Sequence, residues 1–195
     1  PQYVVNPSDI VRDYGADTLR LYEMFMGPLE VSKPWSTQGV VGAKKFINRV
    51  WNFFTESANI TQENDGKLTK IYHQTVKKVT SDFESLGFNT AIAQMMVFVN
   101  EVYKNGTCPQ EYAEGFVKMI SCITPHVGEE MWQLLGHDNT IAYEPWPVYS
   151  EEKCKDHEVT MAVQINGKMR GTVVMDADLD NDTVVQNVLA DEKIA

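Results

Sequence analysis

Between Val40 and Leu135 the apolar residues recur three and four apart, and from Val159 onward they recur at every second position. This change of period constrains the fold more than any other feature. A helix returns to the same face every ~3.6 residues and a strand every second one. Behind Ser36, a good N-cap after Pro34-Trp35, an apolar stripe is formed by Val40, Ala43, Phe46, Ile47, Val50, Phe53 and Phe54. Tyr72, Val76, Val79, Phe83 and Leu86 make a second stripe over 67–86, which Gly87 breaks. Asn89 is expected to cap a third helix carrying Ile92, Met95, Met96, Val99, Val102 and Tyr103, with Asn105-Gly106 as its stop. A fourth holds Tyr112, Phe116, Met119, Ile120 and Ile123, and Pro125 starts or kinks a last one ending at Leu135-Gly136. Ahead of the stripes, 5–27 reads as two short helical pieces, with Ser8 capping the first, Gly15 ending it, and Asp17 capping the second. The expected fold is therefore mainly α: a helical bundle followed by a small, incomplete α+β unit with a β-hairpin.

The alternating stretch is VTMAVQINGKMRGTVVM, 159–175, with Asn166-Gly167 as a strong hairpin signal. A two-residue loop would pair Ile165 with Lys168 and Val163 with Arg170, placing two charges on the apolar face. A three-residue loop with Gly167 at positive φ sets Gln164 against Lys168 and Ala162 against Arg170. Val159, Met161 and Val163 then share the other face with Met169 and Val173. This second register is the expectation, with Lys168 and Arg170 side by side on an exposed face, roughly 7 Å apart. The following DADLDND, 176–182, alternates Asp as a calcium loop does. Asn181 stands where such a loop requires glycine and Asn187 where it requires a bidentate Glu, so an acidic turn with Asn181 or Asp182 capping a short helix is expected.

The formal net charge of -10 argues against a general nucleic-acid coat but leaves room for a local basic site. In the first 150 residues the basic concentrations are Lys44, Lys45 and Arg49, then Lys67, Lys70, Lys77 and Lys78. Trp35 and Trp51 read as core rather than stacking platforms. His126 and Glu130 are four apart, but with no second His nearby they read as a helix start. No Ser-His-Asp set, P-loop or dinucleotide fingerprint is present, so no catalytic, cofactor-binding or metal residue is expected. His73, His137 and His157 receive no role. Cys108, Cys122 and Cys154, odd in number and without a CxxC, read as free thiols of a reducing, cytoplasmic compartment. No stretch reaches the roughly 20 apolar residues of a membrane span.

Several stretches together resemble class I aminoacyl-tRNA synthetases. VVNPSDIVRDYGADTLRLYEMFMGPLE (4–30) is similar to the segment after their KMSKS loop, and its GADTLR core is shared by the leucine, isoleucine, valine and methionine enzymes. KPWSTQGVVGAKKFINRVWNFF (33–54), SLGFNTAIAQMMVFVNEV (85–102) and ITPHVGEEMWQLLGH (123–137) resemble helices of their anticodon-binding-type bundle, and YEPWPVY (143–149) its exit. A VQxNGKxRG stretch before an acidic turn is typical of the leucyl-tRNA synthetase branch, of bacterial type. The resemblance implies three parts: a stem-contact segment over 1–34, a tRNA-binding bundle over 35–150, and the start of a truncated C-terminal α+β domain over 151–195. It implies a fragment, inactive alone, whose catalytic and editing domains lie upstream and act as partners in the same chain. The parent would ligate leucine to tRNA(Leu) with ATP and Mg²⁺, while this part needs no cofactor and grips the tRNA body without reading the anticodon. Neither a membrane nor DNA is implied as a partner. The candidate tRNA contacts are Lys168, Arg170, Lys44, Lys45, Arg49, Lys70 and Lys77. An isoleucine or valine enzyme is the alternative within the class, against which the hairpin argues. A helical protein-interaction scaffold is the alternative outside it.

Overall fold

Each apolar stripe folds as a helix that buries most of it, with Leu86, beyond its helix, and Tyr103 left exposed. The computed structural model describes residues 4–155, 158–165, 167–176 and 179–190. The backbone divides into two units, Pro1–Glu151 and Glu152–Ala195.

In the first unit, α1 (Pro7–Tyr14) and α2 (Ala16–Phe25) precede α3 (Thr37–Phe54), α4 (Thr69–Glu84), α5 (Phe88–Asn105), α6 (Gln110–Ser121) and α7 (Pro125–Leu134). Helix α4 packs on α5 and α6, α6 on α7, and α2 on α3 and α5. Leu21, Val40, Val50, Val76, Ile92, Phe98 and Phe116 are fully buried at their centre. Phe116 stacks on Phe54 with centroids 4.9 Å apart and lies 5.4 Å from Phe98, which ties α3, α5 and α6 together. The α6–α7 elbow is close because residue 128 is glycine: a Cβ there would come within 2.8 Å of Ser121 Cα. The polar loop after α3 is not wholly irregular, since β1 (Ile60–Thr61) pairs in parallel with β2 (Cys108–Pro109).

Three caps differ from expectation. Asn6, not Ser8, caps α1: its side chain accepts the Ser8 N–H at 3.0 Å. Pro7 then occupies the first helical position, where a missing N–H costs nothing. Asp17 lies inside α2, whose N-cap is Gly15. Asn89 lies inside α5, which starts at Phe88 behind Gly87. The turn before it is tight, with Leu86 at φ 59 and the Gly87 N–H donating back to the Asp82 carbonyl at 2.6 Å, so the helix restarts at once. Ser36 does cap α3, accepting the Gly39 N–H at 3.1 Å.

The second unit contains β3 (Glu158–Ile165), β4 (Lys168–Asp176) and α8 (Asn181–Ala190). The strands pair antiparallel, but not in the expected register. Ile165 pairs with Lys168 and Gln164 with Met169, so the loop has two residues rather than three. Gly167 has the expected positive φ, 76°, while Asn166 lies outside the described residues. The odd residue sits further along β4: Val163 pairs with Gly171, which leaves Arg170 as a bulge. Burial still decides the strand faces, because the bulge sets Met161 against Val173 and Val159 against Met175, and Val173 and Met175 are buried. The cap of α8 is one residue earlier than expected, since Asp180 accepts both the N–H and the hydroxyl of Thr183, at 2.9 and 3.0 Å.

The architecture is mainly α, a helical bundle followed by a small hairpin unit, as the change of period predicts. Among the described residues no helix is long and apolar enough to cross a membrane. Cys108, Cys122 and Cys154 form no disulfide among the described residues.

Candidate nucleic-acid interface

The expected contact residues fall into two groups, distinguished by what their charged ends already hold. On α3, Lys44 is half-buried and Lys45 exposed, and neither has a hydrogen-bond or ion-pair partner among the described residues. Lys44 lines a cleft of about 290 Å³ with Tyr14, Gly15, Asp17 and His126. Lys168 and Arg170 are likewise exposed on the hairpin and without such partners among the described residues. All four cations can therefore meet an anion without giving up a protein contact.

The remaining candidates are engaged. Arg49 turns towards α5: its guanidinium donates to Asn100 Oδ1 at 2.5 Å and lies 4.5 Å above the Tyr103 ring. The Tyr103 hydroxyl donates to the Arg49 carbonyl at 2.7 Å, which completes the clasp. Lys70 is half-buried and also holds partners. Lys77 pairs with Glu151 at 2.7 Å. Its neighbours behave alike, Lys67 pairing with Asp65 at 2.8 Å and Lys78 with Asp82 at 2.7 Å. Trp35 and Trp51 are half-buried and pack against the core.

The sequence places Asp17 at the start of its own helix and gives Arg20 no role, whereas the structure joins both to α6 and α7. Asp17, only 6% exposed, accepts the Val127 N–H at 2.7 Å, and its other oxygen lies 2.8 Å from His126 Nδ1. It thus caps α7, whose own N-cap residue Thr124 makes no side-chain capping bond. One turn on, Arg20 donates from Nε to the Ile123 carbonyl at 2.8 Å and from Nη2 to the Cys122 carbonyl at 3.0 Å. An anion thus meets the start of α7 and a cation the end of α6, each matched in sign to the helix dipole it faces. The i, i+3 spacing of Asp and Arg was visible; that their partners lay on α6 and α7 was not.

His137 was also overlooked: it stacks on Trp132 with centroids 3.7 Å apart and places Nε2 2.9 Å from Glu114 Oε1. Among the described residues no group of three or more His, Cys, Asp or Glu side chains could hold a metal ion.

Comparison with known proteins bears on what such a surface serves. The chain is similar to a LeuRS of Agrobacterium radiobacter, solved as a ternary complex with tRNA and LeuAMS, at 26% identity and a TM-score of 0.77. The similarity covers 98% of this chain and 27% of that one, so the chain spans little more than a quarter of the relative's length. The family described as the anticodon-binding domain of tRNA ligase matches residues 65–186, from just before α4 to within α8. That match takes in most of the chain and parts of both units, and the chain accordingly belongs to the family of anticodon-binding domains of tRNA ligases.

Proposed function

We propose that this chain is the tRNA-gripping part of a leucyl-tRNA synthetase and that its partner is tRNA(Leu). The observation that carries the reading is the similarity along 98% of the chain to a LeuRS solved with tRNA. The NGK-x-RG hairpin supports the leucine branch over the isoleucine and valine ones. On this reading Lys44 and Lys45 on α3 and Lys168 and Arg170 on the hairpin meet backbone phosphates. Such contacts set position and affinity without reading sequence. Arg49 and Lys70 already hold protein groups and must exchange them to reach RNA, so they are secondary contacts, while Lys77, paired with Glu151, is not counted among the contacts. The bundle and the hairpin unit grip the tRNA body, while the anticodon goes unread. Ligation of leucine with ATP and Mg²⁺ belongs to other parts of the parent enzyme, working in the cytoplasm. The residues here do not fit Mg²⁺, because no carboxylate or imidazole cluster converges among the described residues.

The test is binding of tRNA(Leu) by the intact protein as a function of salt. Lys168→Ala or Arg170→Ala is expected to weaken binding and to flatten the plot of log K against log salt by roughly 0.7–0.9, the share of one phosphate. An unchanged Kd and slope in both variants would remove the hairpin from the interface. Failure of the unaltered protein to bind tRNA(Leu) would remove the reading itself.

A further inference from the structure

The segment that leaves the bundle, 143–151, runs along one face of α4 and is held there by three residues spaced i, i+4 and i+7. Thr80 Oγ1 accepts the Trp146 indole N–H at 2.8 Å. Its own proton goes to the Val76 carbonyl at 2.7 Å, which leaves an oxygen lone pair for the indole. Phe83 lies 5.5 Å from the Trp146 ring and extends the seat. His73, 8% exposed, accepts the Ser150 backbone N–H on Nδ1 at 3.1 Å. Edge contacts with Tyr72 and Tyr112, at 5.3 and 6.1 Å, fix the His73 ring. Lys77 Nζ meets Glu151 Oε2 at 2.7 Å, and on α6 Lys118 meets Glu144 at 3.6 Å. Trp146 and Tyr149 turn inward against the core while Tyr143 and Val148 stay exposed.

We infer that this face of α4 is the seat of the chain's own exit segment, and that His73, Lys77 and Thr80 are positioning residues that hold the end of the first unit rather than RNA. The consequence for RNA rests on the reading proposed above. The hairpin unit begins at the residue after the strap, so a held strap limits the freedom that must be lost when hairpin and bundle grip one RNA together. A loosened strap lowers affinity without removing a phosphate contact.

The experiment uses the intact protein and has two arms. Hydrogen exchange at the Ser150 amide is expected to quicken by about tenfold in His73→Phe, which keeps a ring but has no acceptor, roughly the effect of one hydrogen bond. His73→Asn, which supplies a carbonyl oxygen, restores most of the protection. Thr80→Val, which keeps the side-chain shape and removes the hydroxyl, is expected to change Trp146 fluorescence and weaken RNA binding with an unchanged salt slope. In the second arm Lys77→Ala leaves the salt slope unchanged, where a direct phosphate contact would lower it by roughly 0.7–0.9. Unchanged Ser150 exchange in His73→Phe together with unchanged Trp146 fluorescence in Thr80→Val overturns the seat. A lowered slope in Lys77→Ala overturns the assignment of Lys77. If the protein binds no RNA, the functional reading fails, while the exchange and fluorescence measurements still decide the strap.

Discussion

Asp17 shows how far a single side chain can act from its place in the sequence. Its carboxylate is buried, yet it faces the backbone N–H groups at the start of α7 and the ring of His126. A buried charge of this kind is tolerable only because donors surround it. Asp17→Ala would leave the α7 N-terminus uncapped, and we expect a loss of about 2–3 kcal/mol, read as a lower urea midpoint at unchanged m. Asp17→Asn keeps one acceptor oxygen and should fall between the two. A midpoint equal to that of the unaltered protein in both variants would show that water replaces the carboxylate. The sequence assigned Asp17 to its own helix because an Asp ahead of an apolar-periodic run is a common start signal. Its true partner is separated by 110 positions, a relation no local pattern carries.

At the scale of elements, period was the reliable signal. The stripes of α3 to α6 could be read directly, because each buried face was written at helical spacing. Boundaries were less legible where a local competitor existed. Ser8 was the expected cap of α1, and Pro7 overturns it by occupying the first helical position, which leaves Asn6 as the cap. The hairpin was legible in its need for one extra residue but not in where that residue goes. Asn-Gly favours a two-residue loop, the buried Val173 and Met175 demand the opposite parity, and the bulge at Arg170 satisfies both. For α8 the cap carries a pH dependence. Hydrogen bonds from the Thr183 backbone and hydroxyl hold the Asp180 carboxyl below its usual range. A lowered folded-state value means that the cap's contribution is complete above the ordinary aspartate value of about 3.9 and is lost as pH falls through the depressed one. Protection of the Thr183 amide against exchange should thus persist at pH 5 and decline only in stronger acid. Loss of protection beginning near neutrality would contradict the assigned cap.

For the whole molecule, the net charge of -10 conceals an uneven distribution. Many basic side chains are spent internally: Arg12 on Asp9, Arg20 on the α6–α7 elbow, Arg49 on α5, and Lys77 and Lys78 on carboxylates. Composition could not separate these from Lys44, Lys45, Lys168 and Arg170, because the distinction depends on which partners the fold brings near. Since Lys44 and Lys168 belong to different units and share no partner, their effects on RNA binding should add. The double variant Lys44→Ala/Lys168→Ala is expected to show the sum of the single losses in log K and twice the single loss in salt slope. A double variant no worse than either single one would mean that the two lysines do not engage the RNA at the same time.

The clasp of α2 on the α6–α7 elbow also has a meaning in time. Arg20 and Asp17 wait for partners made 103 and 110 residues later. At ribosomal rates of about 5–20 residues per second that interval is roughly 5–20 s. During it α3 and α5 can already cover the apolar face of α2, while the Asp17 carboxylate and the Arg20 guanidinium still lack their partners on the elbow. Synthesis of Pro125 to Val127 is the event that ends that wait, so the order in which the chain is made decides when α2 is pinned to the elbow.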